Sequence, residues 1–193
     1  MTIQISDKIV FEDGFFTLLC YPLEDYLNKK SPKIHFLPIN SANLRGYIAS
    51  WAIINGLLYL THLRGKICMC NNDSRNNNLS LCNFQNSSCN IKNISTYDIF
   101  QYSGNNIFAD WFTGDLIASY GPEIKQNGYV NIPFYEKYII INIKNGLVQN
   151  KKILSLNDYK IYKNYFSSLK RKIIKIFINR IKYILLNLFI IRK

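Results

Sequence analysis

The amino-acid sequence predicts a mainly β fold, an antiparallel sandwich or roll built from hairpins, followed by a C-terminal amphipathic α-helix. Hydrophobic residues make up 48% of the 193 residues and aromatic residues 15%, enough to bury one core and to favour pleated strands. Apolar runs alternate with two-residue turn signals as far as Leu154. From Ser155 onwards the apolar residues recur at helical spacing, so we predict a β-rich domain over 1–154 and a helical tail over 155–193.

Three hairpins are predicted from their turn residues. Asp13-Gly14 joins two short apolar runs near the N-terminus, and Asn55-Gly56 joins two longer ones. Asn145-Gly146 separates a third pair, in which Tyr138–Ile143 is almost continuously apolar and indicates a strand covered on both faces. Asn-Gly and Asp-Gly are the strongest short-range hairpin signals because both residues of a type I′ turn need positive φ angles.

The segments between the hairpins are less regular. Pro22 is suited to begin one helical turn. Residues 68–95, rich in Cys, Asn and Ser, have almost no periodicity and predict a long insertion loop. Residues 107–117 restore apolar sequence and predict a strand bent or interrupted at Thr113-Gly114.

The basic charge of the chain is concentrated in the tail. Residues 1–154 contain 14 basic and 11 acidic residues, or +3, whereas residues 155–193 contain 10 and 1, or +9. Ser155 and Asp158 form the S-x-x-D pattern of a helix start, and the residues that follow place apolar side chains on one face and lysines on the other. The cations expected to contact an anionic surface are Lys170, Arg171, Lys172, Lys175 and Lys182.

Three partners are considered for this tail. The apolar run Tyr183–Ile191 would be only about 14 Å long as a helix, so it cannot cross a bilayer alone, and an in-plane helix on an anionic membrane fits its two faces better. The tail could equally pack on its own β domain or on a protein partner, as most amphipathic helices do. Nucleic-acid binding ranks third because aliphatic residues crowd the end of the tail.

Several motifs of the β-rich region resemble those of a family of small bacterial proteins to which no activity is attached. They are Arg45-Gly46-Tyr47 followed by Trp51, Asn55-Gly56-Leu57-Leu58-Tyr59-Leu60, and Phe108-Ala109-Asp110-Trp111-Phe112-Thr113-Gly114. The resemblance spans roughly residues 8–154. It implies that this stretch is one domain, and it implies no reaction.

Two carboxylates near an aromatic residue offer the main catalytic hypothesis. Asp110 and Asp115 flank Trp111, and such a pair could serve acid–base hydrolysis. Both could instead be structural, with Arg45 and Arg64 as ion-pair partners. No serine-hydrolase elbow, phosphate-binding glycine loop or dinucleotide fingerprint is present, so enzyme classes with these signatures are disfavoured.

The five cysteines favour neither disulfides nor a metal. Their number is odd, and the first residues show no secretory signal, so we expect a cytoplasmic chain with reduced thiols. Cys68, Cys70, Cys82 and Cys89 lack the paired C-x-x-C spacing of a zinc site. We therefore expect neither a metal nor a cofactor.

These observations favour a binding or interaction domain over an enzyme. We expect this domain to be peripheral to the membrane through its basic helix. The residues expected to line its cleft are Arg45, Tyr47, Trp51, Asp110, Trp111 and Asp115. The alternatives are a small hydrolase that uses Asp110 and Asp115, and a nucleic-acid-binding protein that uses the tail. The sequence does not specify a small-molecule ligand.

Overall fold

The computed structural model describes residues 2–30, 34–70, 89–102, 104, 106–124, 133–165 and 167–168. It confirms the predicted fold class, because the described strands form one large mixed sheet and a helix follows them. The strands are β1 (Asp7–Phe11), β2 (Gly14–Leu18), β3 (Tyr47–Ile54), β4 (Leu57–Cys70), β5 (Cys89–Ser95), β6 (Ile107–Phe108), β7 (Gly114–Ile124), β8 (Phe134–Lys144) and β9 (Leu147–Ser155). Two short helices, α1 (Leu23–Lys29) and α2 (Thr96–Phe100), lie in the connections.

The strand order is β3-β1-β2-β7-β8-β9-β4-β5, and β6 adds to β4. Because β3 also pairs with β4, the hydrogen-bonded path returns to the strand from which it began. β1 pairs with β3 in parallel, with Ile9 opposite Trp51, and this pairing makes the sheet mixed. The parallel pairing matters for the site because it places the start of β1 beside the middle of β3.

All three predicted hairpins are present. Asn55-Gly56 and Asn145-Gly146 form their turns with two positive φ angles each, 52° and 76° in the first and 49° and 76° in the second. The first hairpin turns at Glu12–Asp13, with φ of 46° and 59°, one residue earlier than predicted. Gly14 opens β2 instead, where a Cβ atom would lie 2.5 Å from the ring of Phe16. Its lack of a side chain thus serves packing and not the turn.

The core forms where the sequence is most continuously apolar. Tyr138, Ile139, Ile140 and Ile141 of β8 are buried in succession, which confirms the prediction of a strand covered on both faces. β3 alternates as a half-covered strand does, with its large aromatic residues inside. The fully or nearly fully buried side chains that pack with them include Ile9, Leu18, Leu23, Leu58, Leu60, Leu63, Leu116 and Ile143.

The connecting segments are partly as predicted. α1 begins after Pro22, and the apolar run after residue 106 is interrupted between β6 and β7. The predicted insertion loop over 68–95 needs correction, because Cys68–Cys70 ends β4 and Cys89–Ser95 forms β5, paired with β4. Residues 71–88, including Cys82, lie outside the described residues.

The chain divides into two compact units with their boundary at Ile153 and Leu154, next to the predicted boundary. In the second unit a helix, α3, covers residues 156–165 and 167–168. Ser155 caps it as predicted: its hydroxyl accepts the backbone N–H of Asp158 at 3.2 Å and donates to the carboxylate of Asp158 at 2.7 Å. None of the helices in the described part of the chain has the length and apolar character needed to cross a bilayer. The tail cations from Lys170 to Lys182 lie outside the described residues.

Candidate functional site

Asp7, which the sequence did not single out, accepts hydrogen bonds from two of the predicted residues, Arg45 just before β3 and Trp51 within it. Its side chain is 0% exposed, at the start of β1. Arg45 donates to Oδ1 at 3.1 Å and the indole of Trp51 donates to Oδ2 at 3.2 Å. The backbone N–H of Ala49 also donates to Oδ1, at 3.2 Å. The parallel pairing of β1 with β3 makes this possible, because it sets the carboxylate across from the Arg45–Trp51 segment.

The guanidinium of Arg45 is held on several sides. Its Nη2 donates to the carbonyl of Ile5 at 2.7 Å, and its central carbon lies 3.6 Å from the ring centre of Tyr21 and 4.8 Å from that of Tyr47. The Nε of Arg45 and the hydroxyl of Tyr47 are buried without a hydrogen-bond partner among the described residues. Among the described contacts, Asp7 is the only side-chain carboxylate that forms an ion pair with Arg45.

Burial dominates the protonation chemistry around Asp7. Desolvation raises the pKa of Asp7, although the charge of Arg45 and the N–H groups of Ala49 and Trp51 oppose the rise. Burial likewise raises the pKa of the Tyr47 hydroxyl, and it raises the pKa of the nearby Cys20 thiol to about 12. A thiol with so high a pKa is protonated at neutral pH and is a poor nucleophile.

Trp111 belongs to a different group of residues. Its indole N–H donates to the carbonyl of Pro22 at 3.3 Å. Its ring centre lies 4.9 Å from that of Tyr26 and 5.4 Å from that of Phe100, so it packs between the residues of α1 and α2. These contacts indicate that Trp111 holds α1 and α2 together, with neighbouring aromatic rings packed against its own ring.

The two predicted catalytic carboxylates also differ in their surroundings. Asp110 is exposed on the turn between β6 and β7. Asp115 is half-buried on β7 and accepts a hydrogen bond from the side-chain amide of Asn142 at 2.8 Å. Arg45, considered as their ion-pair partner, pairs with Asp7 instead. The described contacts thus do not bring the six residues expected to line one cleft together. Arg45, Tyr47 and Trp51 lie around Asp7, Trp111 packs on α1 and α2, Asp110 is exposed, and Asp115 bonds to Asn142.

A concave apolar surface lies elsewhere in the domain, between the turns of the first two hairpins and β9. We call it the β9 depression; it has a volume of about 320 Å³ and is lined by Phe11, Glu12, Ile53, Asn55, Gly56, Ile141, Val148 and Lys151. Phe11 and Ile141 are 5% and 2% exposed and form its floor. No single sequence motif identifies it, because its lining comes from four separate strands and two turns.

One ion pair crosses the rim of the β9 depression. The ammonium of Lys151 donates to both carboxylate oxygens of Glu12, at 2.6 and 2.5 Å. The side chain of Lys151 is 35% exposed and that of Glu12 is 68% exposed. The side chain of Lys151 is therefore the less exposed of the two.

The chain matches no protein-family model, no curated protein and no solved structure, so the family resemblance of its motifs stays a prediction. Within the residues that the structure describes, no group of three or more His, Cys, Asp or Glu side chains lies close enough to hold a metal ion.

Proposed function

We propose that this chain is a binding protein whose β-rich domain takes a ligand in the β9 depression and whose basic helix contacts an anionic membrane surface. The β9 depression carries the first part of the proposal. A concave apolar surface with a few polar groups at its edge is the usual form of a small-molecule site. Its walls belong to paired strands, which hold a site more firmly than loops do.

The membrane part of the proposal is supported by the charge distribution. The tail carries a net charge of +9 over 155–193, against +3 for the rest of the chain. At the start of α3, Ile161 and Tyr165 are one turn apart and are 69% and 60% exposed, and Lys160 and Lys163 are exposed as well. Apolar and cationic groups together are what an interfacial helix needs, since each lysine near an anionic surface contributes about 1 kcal/mol.

Flotation with vesicles tests the membrane part on the 193-residue chain. One variant carries glutamine at the five tail cations Lys170, Arg171, Lys172, Lys175 and Lys182. A matched control carries glutamine at five exposed cations of the domain, Lys29, Arg64, Lys66, Lys137 and Lys144. With phosphatidylserine-containing vesicles we expect wild type and control to float, and the tail variant to lose at least about tenfold in binding.

Equal flotation of the two variants would contradict the membrane proposal. If wild type fails to float but binds a DNA duplex with the same dependence on the tail cations, the nucleic-acid alternative replaces it. Vesicles of phosphatidylcholine alone separate the two contributions, because they retain the apolar attraction and lack the anionic headgroups.

A further inference from the structure

The β9 depression combines an apolar floor with one positive charge at its rim. Phe11 and Ile141 close its base, and the half-buried Ile53 and Val148 form its sides. Lys151 also lines the depression, and its ammonium contacts the Glu12 carboxylate at the rim. Its volume, about 320 Å³, is at the small end of the range for small-molecule sites and suits a compact ligand.

The hydrogen-bonding capacity at the rim favours an incoming acceptor. An ammonium group has three N–H donors, and Glu12 offers two carboxylate oxygens, both already within 2.6 Å of the Lys151 nitrogen. Lys151 therefore retains donor capacity while Glu12 is engaged. A cationic ligand would in contrast be repelled by the ammonium, and the one counter-charge in the lining is the Glu12 carboxylate, both oxygens of which already contact Lys151.

From this geometry we propose that the β9 depression binds a small monocarboxylate with an apolar body. The apolar body lies on Phe11 and Ile141, and the carboxylate accepts a charge-assisted hydrogen bond from Lys151. This inference rests on the proposed binding function and adds the chemistry of the ligand.

Glu12 acts as an internal competitor in this arrangement. It lies at positive φ in the turn before β2, a conformation that residues other than glycine, asparagine and aspartate rarely adopt. The turn directs its carboxylate to Lys151, 139 residues away in the chain. A ligand carboxylate has to share or replace this contact, so removal of the negative charge of Glu12 strengthens binding.

Methyl NMR of the 193-residue protein tests the inference with three probes of equal chain length, sodium octanoate, octan-1-ol and octylamine. The methyl groups of Ile53, Ile141 and Val148 report occupancy of the depression. We expect octanoate to shift the methyl signals of all three residues. The affinity for octanoate should be about tenfold higher than that for octan-1-ol, and octylamine should bind most weakly.

Variants assign the head-group contact. Lys151→Met keeps the apolar stem and should bring octanoate to within about twofold of octan-1-ol, whereas Lys66→Met, exposed on β4 and outside the lining of the depression, should change nothing. Glu12→Gln should raise the affinity for octanoate by about threefold. A gain of affinity is informative because damage to the fold cannot produce it.

The outcomes separate this inference from the proposed function. If octan-1-ol and octanoate shift the pocket methyl groups with equal affinity, the depression is a ligand site and the carboxylate preference is wrong. If none of the probes shifts these methyl groups, or shifts occur only in isoleucines of the tail, the depression is not the binding site and both proposals about it fail. Unchanged octanoate affinity in Lys151→Met, or a loss in Glu12→Gln, would also overturn the inference.

Discussion

An acidic residue begins strand β1 and another directly follows it, and the two differ in burial. Asp7 pairs with Arg45 where the side chains are 0% and 11% exposed, whereas Glu12 pairs with Lys151 where they are 68% and 35% exposed. The first pair joins the start of β1 to the segment just before its parallel neighbour β3. The second crosses the rim of an open depression. We therefore expect burial, and not the identity of the charges, to decide whether an ion pair stabilises the fold or is available for exchange.

The physical basis is the cost of desolvation. A buried charge that loses its partner cannot be solvated, so breaking one side of a buried pair is expensive, although forming the whole pair contributes little. An exposed charge that loses its partner is solvated by water, and the loss is small. The Asp7 pair is therefore expected to be essential to folding, while the Glu12 pair can open for a ligand.

The largest expected effect comes from Asp7→Asn. The amide has one acceptor oxygen, whereas the carboxylate serves Arg45, Ala49 and Trp51 with two, and the substitution leaves the buried guanidinium without its counter-charge. We expect the free energy of unfolding, measured by urea denaturation, to fall by about 3–5 kcal/mol. Glu12→Gln is the control at the other end of β1. A fall below about 1 kcal/mol for Asp7→Asn would remove the distinction between the two pairs.

Two glycines give an intermediate effect and a matched test of the same contrast. Gly46, beside Arg45, and Gly56, at the rim of the depression, have φ angles of 75° and 76°. A Cβ on Gly46 would lie 2.4 Å from the carbonyl oxygen of Leu37, whereas a Cβ on Gly56 meets nothing within 4 Å.

Alanine at either position should cost about 1–2 kcal/mol in backbone strain. Gly46→Ala should cost about 1–3 kcal/mol more, because the closely packed carbonyl has to move. Thermal or urea unfolding of the two variants measures the difference. Equal losses of stability in the two variants would show that the backbone beside Arg45 moves as easily as the backbone at the rim of the β9 depression.

The smallest effect is expected from the exposed pair itself. Glu12→Gln and Lys151→Met should each change the free energy of unfolding by less than about 1 kcal/mol, and added salt should reduce the effect further. Urea denaturation at low and at high salt measures both. A loss of several kcal/mol that does not respond to salt would mean that this pair is structural, and Lys151 would then not be available to a ligand.

The features that the sequence alone determined are those in which neighbouring residues interact with one another. Asn55-Gly56 and Asn145-Gly146 specify their hairpins because the positive φ angles of the turn lie within the two residues themselves. Ser155 and Asp158 specify the start of α3 because each side chain reaches the other across one helical turn. The buried run of β8 was equally evident, since a continuous apolar strand has to be covered on both faces.

The candidate sites were decided by contacts between residues far apart in the chain. Arg45 and Trp51 were recognised in one motif, but the carboxylate that both contact, Asp7, lies 38 residues before Arg45 and is placed by the parallel pairing of β1 with β3. Nothing in the sequence around Asp7 distinguishes it from a surface aspartate. Glu12 and Lys151 meet across 139 residues. Such contacts depend on strand order and register, which two-residue turns and hydrophobic periodicity do not encode, so only the tertiary structure could bring these charges together.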